Sequence, residues 1–142
     1  MKSKILKFRC LNKNAKIPVY DHEDDAAFGV FSIEERVLRP MEIHIFETGI
    51  SSQIPENCYV SIRDRSSMAA KGLHVLGGVI DAGYRGEWKI IIINLSNKNY
   101  KIKIGDKIAQ GILQNSIRPI ILKAKILDTT TRGINGFGST GR

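Results

Sequence analysis

Gly77-Gly-Val-Ile-Asp-Ala-Gly-Tyr-Arg-Gly-Glu-Trp-Lys-Ile-Ile-Ile-Ile-Asn94 joins a short apolar run, a turn punctuated by Gly83 and Gly86, and a strand of β-branched residues. Isoleucine suits the pleated, half-buried surface of a sheet and glycine supplies the bend, so the segment predicts a β-hairpin whose second strand ends at Asn94. The same alternation of apolar runs and turn signals extends outward in both directions. Strands are expected over residues 4–9, 28–33, 42–47, 58–63, 87–94, 100–104, 107–113 and 120–127. Bends are expected at Gly49, Pro55, Asn57, Gly83, Asn97 and Gly105. Only residues 66–71 have a helical character. The pattern predicts an all-β barrel or sandwich with no internal repeat, linker or second domain.

Composition bounds the function. With 142 residues, 42% hydrophobic and 25% charged, the chain fits one globular domain with a sizeable core. Its longest apolar runs are strand-sized, and residues 1–10 lack an apolar stretch of signal-peptide length, so no membrane partner is expected. The expected location is cytoplasmic, or nuclear in a eukaryotic or viral setting. Cys10 and Cys58 form no CxxC pair, and His22, His44 and His74 lack metal-ligand spacing, so no protein-held metal is expected. A formal charge of +8 attracts polyanions. Its lysines are scattered singly, as at Lys98, Lys101, Lys103 and Lys107, without an aromatic-interleaved stripe, so no dedicated nucleic-acid binding is expected. A nucleoside triphosphate is the simpler use of the field.

Several segments carry the chemistry of such a ligand. Arg132-Gly-Ile-Asn-Gly-Phe-Gly-Ser-Thr-Gly-Arg142 combines backbone N–H groups freed by glycine, two hydroxyls, two guanidinium groups and an isolated aromatic. Phe137 has little to pack on locally, and a nucleobase is a fitting partner. A frayed polar terminus is the plainer reading. Asp81, at the hairpin bend, suits proton abstraction from water; equally, an Asp beside glycine often bonds its own backbone. Arg65-Ser-Ser-Met-Ala-Ala-Lys-Gly72 opens a short helical turn with hydroxyls, which serves either phosphate binding or N-capping by Ser66. Gln110 offers an amide within an apolar strand. Residues 24–30 precede a strand and are placed to line a pocket or form a polar loop.

Taken in order, Ala26-Ala-Phe-Gly-Val30, Arg65-Ser-Ser-Met-Ala69, Gly78-Val-Ile-Asp-Ala-Gly-Tyr-Arg-Gly86, Asp106-Lys-Ile-Ala-Gln110 and Arg132-Gly-Ile-Asn-Gly-Phe-Gly-Ser-Thr-Gly141 resemble the five motifs of the trimeric dUTPase family. The resemblance covers nearly the whole chain. It implies an all-β distorted jelly-roll barrel, the dUTPase-like β-clip, in residues 1–128. Residues 129–142 then form a flexible arm that closes over the active site of a neighbour in a homotrimer. The implied reaction is hydrolysis of dUTP to dUMP and pyrophosphate, which keeps uracil out of DNA and supplies dUMP for thymidylate synthesis.

The resemblance also distributes roles. Asp81 would activate the attacking water, with Mg2+ carried by the substrate's phosphates and waters. Tyr84 would pack on the deoxyribose, and the backbone around Gly78 and near Lys89 would read uracil. Ser66 and Ser67 would hold the α- and β-phosphates with Arg65 nearby, and Gln110 would support the phosphate chain. Arg132, Gly138, Ser139 and Thr140 would hold the γ-phosphate while Phe137 covers the base. One position departs from the pattern: Gly29 stands where the family has an aspartate that steadies the water shell of magnesium. Asp24 and Asp25 are the acidic residues nearby. Ile134 and Asn135 replace small residues in the arm.

Two rivals share these features. The dCTP deaminase family has the fold and a similar Arg-Ser-Ser segment, but its glutamate ten residues after the aspartate is Ile91 here, which cannot shuttle protons. A regulatory protein of the dUTPase type would bind nucleotide without turnover, with Gly29 marking a relaxed catalytic requirement.

Overall fold

The computed structural model describes residues 4–136. Eleven strands and one helical turn appear in the order β1 (Lys7–Cys10), β2 (Phe28–Phe31), β3 (Arg36–Leu38), β4 (Ile43–Glu47), β5 (Ile50–Gln53), β6 (Cys58–Arg63), α1 (Ser66–Ala69), β7 (Leu73–Leu76), β8 (Val79–Asp81), β9 (Lys89–Asn94), β10 (Tyr100–Ile102) and β11 (Lys107–Asn115). The expected all-β architecture is what folds. A four-stranded sheet runs β2-β11-β6-β8 and a three-stranded sheet runs β4-β9-β7; β1 pairs with β5 and β10 with β3 in two small antiparallel ribbons.

The core follows from side-chain alternation along these strands. In β9, Ile90, Ile92 and Asn94 point inward, while Ile91 and Ile93 are only partly covered. Buried Asn94 satisfies its whole amide: Nδ2 donates to the carbonyls of Leu38 (3.0 Å) and Lys98 (2.8 Å), and Oδ1 accepts from Ser96. Trp88, fully buried, packs edge-on against Phe8 at 5.2 Å between ring centroids, and Phe8 meets Phe28 at 5.9 Å. This aromatic cluster joins the β1-β5 ribbon to the large sheet.

The central segment departs from the sequence expectation. β8 and β9 do not form a hairpin ladder, because they belong to different sheets. Both edges of β9 are taken, by β4 from Ile43↔Ile93 to Glu47↔Lys89 and by β7 from Leu73↔Asn94 to Leu76↔Ile91. β8 instead pairs with β6, from Ser61↔Val79 to Tyr59↔Asp81. The chain crosses between sheets twice, through Gly77 and Gly78 before β8 and through residues 82–88 after it. Gly77 and Gly78 have φ of 73° and 115°. The second value lies outside the left-handed region that an L side chain tolerates.

Two further expectations change. Residues 120–127 form no strand; among the described residues no ladder partner lies beside them, and Ile120, Ile121 and Leu122 are more than 80% exposed. Conversely β3, β5 and β7 lie outside the expected set. β5 reads Ile-Ser-Ser-Gln and looks like a loop, yet Ser51 and Ser52 are buried.

A methyl at Gly78 would sit 2.8 Å from the Ile62 carbonyl oxygen, whereas one at Gly77 would meet nothing within 4 Å. Gly78→Ala is therefore expected to destabilise the fold by about 2–3 kcal/mol and Gly77→Ala by only about 1 kcal/mol, as read from urea unfolding.

Candidate functional site

The polar residues singled out in the sequence form two separate groups. The first lines a cleft of about 370 Å³. Gly29 contributes from β2, Arg65, Ser66 and Ser67 from the start of α1, and Lys107 and Gln110 from β11; Asp21 and Asp25 close it from the preceding loop. Ladder pairing sets this arrangement, since Gln110 lies opposite Gly29 on one side and Arg63 on the other. Gln110 is anchored by its Nε2, which donates to the Asp64 carbonyl at 2.8 Å. Arg65 donates from Nη1 to the Lys107 carbonyl at 2.6 Å.

Ser66 does not cap the helix. Arg65 occupies the cap position in extended backbone, and no side-chain cap bond forms. Among the described residues neither Ser66 nor Ser67 has a hydrogen-bond partner for its hydroxyl, so both are available to a ligand.

The second group sits on the turn after β8. Asp81 ends that strand, exposed, and its carboxylate has no hydrogen-bond partner among the described residues. The turn is braced by backbone and side-chain bonds. Tyr84 donates its N–H to the Asp81 carbonyl (3.1 Å) and its hydroxyl to the Glu87 carbonyl (3.0 Å). Arg85 reaches the carbonyls of Ala82 (2.7 Å) and Tyr84 (3.0 Å) from Nη1. Asp81 thus does not make the local Asx bond that its sequence context allows. Gly78 presents its carbonyl to the Ile62 N–H at 2.7 Å, and Lys89 stands exposed with its ammonium 3.4 Å from Glu47.

One chain does not bring the two groups together. Asp81 faces Tyr59 near the first end of β6, whereas the serines follow its last end at Arg63. Four residues at about 3.3 Å each put roughly 13 Å between those ends. Arg132 does not line the cleft and is held in a local turn by its Nε donating to the Asn135 carbonyl at 3.0 Å. Phe137, Gly138, Ser139 and Thr140 lie outside the described residues.

The family model described as dUTPase matches residues 13–141. This chain belongs to the dUTPase family. The deoxyuridine 5'-triphosphate nucleotidohydrolase of Clostridium tetani is 44% identical over 140 residues, covering 96% of this chain and 97% of its own. The dUTPase of Staphylococcus bacteriophage 80alpha, solved with dUPNHPP, superposes with a TM-score of 0.91 at 28% identity, covering 99% of this chain and 100% of the phage chain. A mutant of the dUTPase from phage phi11 of S. aureus, which coordinates a structural Mg(II) ion, has a TM-score of 0.82 at 28% identity over 88% of this dUTPase and 99% of the phage chain.

Two members of the cleft, Asp21 and Lys107, carry no role in the sequence reading. Asp21 lies in a loop without any pattern, but Lys107 sits three residues before Gln110 in the fourth motif, and Gly29 marks a missing side chain opposite. The Lys107 ammonium pairs with the Asp21 carboxylate. Of the two acidic residues nearest Gly29 in the sequence, Asp25 lines the cleft but accepts the His22 N–H at 3.0 Å; Asp24 does not line it. Among the described residues no three His, Cys, Asp or Glu side chains gather as a metal cage. Asp25 keeps its second carboxylate oxygen, unpaired among the described residues, for the waters of an ion carried by a ligand, so it fits outer-shell contact.

The hydrogen bond from Lys107 holds the Asp21 carboxyl below its ordinary pKa. A lowered folded value means that the pair contributes stability above the unfolded aspartate range and loses it as pH falls through the folded value. Carboxyl NMR titration should place Asp21 below the usual carboxylate midpoint, and Lys107→Met should return it to that range.

Proposed function

We propose that this dUTPase hydrolyses dUTP to dUMP and pyrophosphate in active sites that several copies of the chain build jointly. The observation that carries this reading is the division of the site. A water attacking the α-phosphorus must meet Asp81 within hydrogen-bond reach, about 3 Å, while the serines must reach the same phosphate group. Within one chain these groups are too far apart, yet each lies exposed with its polar atoms unpaired among the described residues. Asp81 of one copy facing the serine cleft of another satisfies both demands.

A homotrimer fits the surface. Ile117, Ile120, Ile121 and Leu122 are almost fully exposed. On β4, Ile43 and Ile45 are each over half exposed beside the partly covered Ile91 and Ile93. Such surface is covered when copies associate. Residues 129–142 would then extend over a neighbour's cleft, bringing Arg132, Gly138, Ser139 and Thr140 to the γ-phosphate and Phe137 over the base.

The base itself is served by the free edge of β8. Among the described residues that strand is paired only on its β6 side, and alternate residues of an edge strand direct N–H and C=O outward, as a complementary base would. Tyr84, with its hydroxyl fixed on Glu87, presents a flat wall to the deoxyribose and leaves no space for a 2′-hydroxyl. Lys89 stands at the start of β9, the next strand along the chain.

In the reaction Asp81 accepts a proton from water as the oxygen attacks the α-phosphorus in line. The bond to the bridging oxygen breaks and pyrophosphate leaves. Ser66, Ser67 and Gln110 orient the phosphates, and Arg65 offsets their charge. When magnesium accompanies the substrate on its phosphates and waters, it adds to that charge neutralisation.

Asp81→Asn is expected to lower kcat by roughly 10²–10⁴-fold while a nonhydrolysable dUTP analogue still binds; calorimetry showing no binding would assign Asp81 a structural role instead. The joint site has its own test. Asp81→Asn and the Ser66→Ala, Ser67→Ala double variant should each be inactive, but trimers assembled from equal amounts of both should recover about a quarter of the wild-type pyrophosphate release. A mixture as inactive as its components would place all these residues within one chain's site.

A further inference from the structure

Gly29 and Lys107 occupy one space between them. A methyl built on Gly29 would meet Cε, Cδ and Cγ of Lys107 at 2.5, 2.6 and 3.0 Å. The ladder between β11 and β2 slips at this point, with Lys107 opposite Phe31 and Ala109 opposite Val30. Such an irregularity re-aims the side chain it carries. Here the lysine stem lies flat over the glycine, so only 17% of the side chain is exposed, and the ammonium stands in the cleft that holds Ser66 and Ser67. Its neighbours are the Asp21 carboxylate and the face of Phe31, 5.8 Å away at the ring centroid.

The two partners of this ion pair differ. Lys107 is fixed by the sheet, and its carbonyl is held by Arg65. Asp21 belongs to a loop and is 55% exposed. Its carboxylate is therefore easily released to water, whereas the lysine stem stays packed over Gly29. A polyphosphate brings more negative charge than one carboxylate and several acceptor oxygens on each phosphorus, and lysine binds it as a point charge without the fixed geometry that arginine requires.

We infer that Lys107 is a phosphate-binding cation of this chain, admitted to the cleft by Gly29 and occupied in the free protein by Asp21, which it exchanges for phosphate oxygens when a nucleoside triphosphate binds. The inference rests on the reading of the serine cleft as the phosphate site. It changes the meaning of Gly29: where the family resemblance leads one to expect an aspartate, the space is filled by the stem of a basic residue. A carboxylate at Gly29 would collide with that stem and push the ammonium out of the cleft.

The two residues of the pair should act in opposite directions, which a structural salt bridge would not produce. Calorimetry on the full chain would compare a nonhydrolysable dUTP analogue with dUMP. Lys107→Met should weaken the analogue about tenfold and leave dUMP within about twofold, while Asp21→Asn, by removing the competitor, should tighten the analogue by about two- to fivefold. Lys107→Gln, which keeps most of the stem, serves if the methionine variant fails to fold, and thermal unfolding monitors both. Unchanged analogue affinity in the lysine variants, or weakening by Asp21→Asn as well, would overturn the proposal. The Ser66→Ala, Ser67→Ala double variant separates the two levels. Loss of affinity there without loss in the lysine variants defeats the role of Lys107 alone; no loss in either defeats the phosphate reading of the cleft.

Discussion

Trp88 uses every polar atom it possesses. Its N–H donates to the Ile50 carbonyl at 2.8 Å, its carbonyl accepts from Thr48 Oγ1 at 2.5 Å, and its indole N–H donates to Ser52 Oγ at 3.0 Å. Its ring meanwhile fills the aromatic cluster with Phe8 and Phe28. A side chain so large and so fully buried fixes where β9 begins relative to β5. The turn that carries Asp81 and Tyr84 ends immediately before it. The placement of that turn, a largely exposed element, therefore derives from the interior as well as from its own bracing bonds.

The second organising constraint is that β8 and β9 diverge. A closed hairpin would consume the backbone groups on both sides of β8. By giving the edges of β9 to β4 and β7, the fold leaves one side of β8 without a strand partner among the described residues, beside a braced turn. The serine cleft is built at the far end of β6, from a different set of strand pairings. Rigid sheets set the distance between the two regions, so neither can drift toward the other.

Local features are readable in the sequence where local physics decides them. The run of β-branched residues in Lys89-Ile-Ile-Ile-Ile-Asn94 gives a strand wherever it is placed, and Ser66-Ser-Met-Ala69 gives a single helical turn. What such a run does not contain is the identity of the partner strand, which is why the hairpin reading of Gly77 to Asn94 fails. Burial can also come from far away. Ser51 and Ser52 look like loop residues until Trp88 supplies a donor for Ser52, and residues 120–127 look like a strand although the described residues offer them no ladder. In the cleft, Arg65, Ser66, Ser67 and Gln110 are legible because their spacing follows motifs. Asp21 is not, because its place depends on an ion pair formed across 86 positions of sequence.

An edge available to a ligand is also available to another polypeptide. Unpaired N–H and C=O groups on a sheet invite a foreign strand, and long flat edges of this kind seed aggregates. β8 spans only three residues, begins after two glycines with unusual backbone angles, and ends on a charged carboxylate. An intruding strand would find too few hydrogen bonds to hold it. Brevity makes this edge safe to leave open, and lengthening β8 by even a few residues would raise the hazard of self-association.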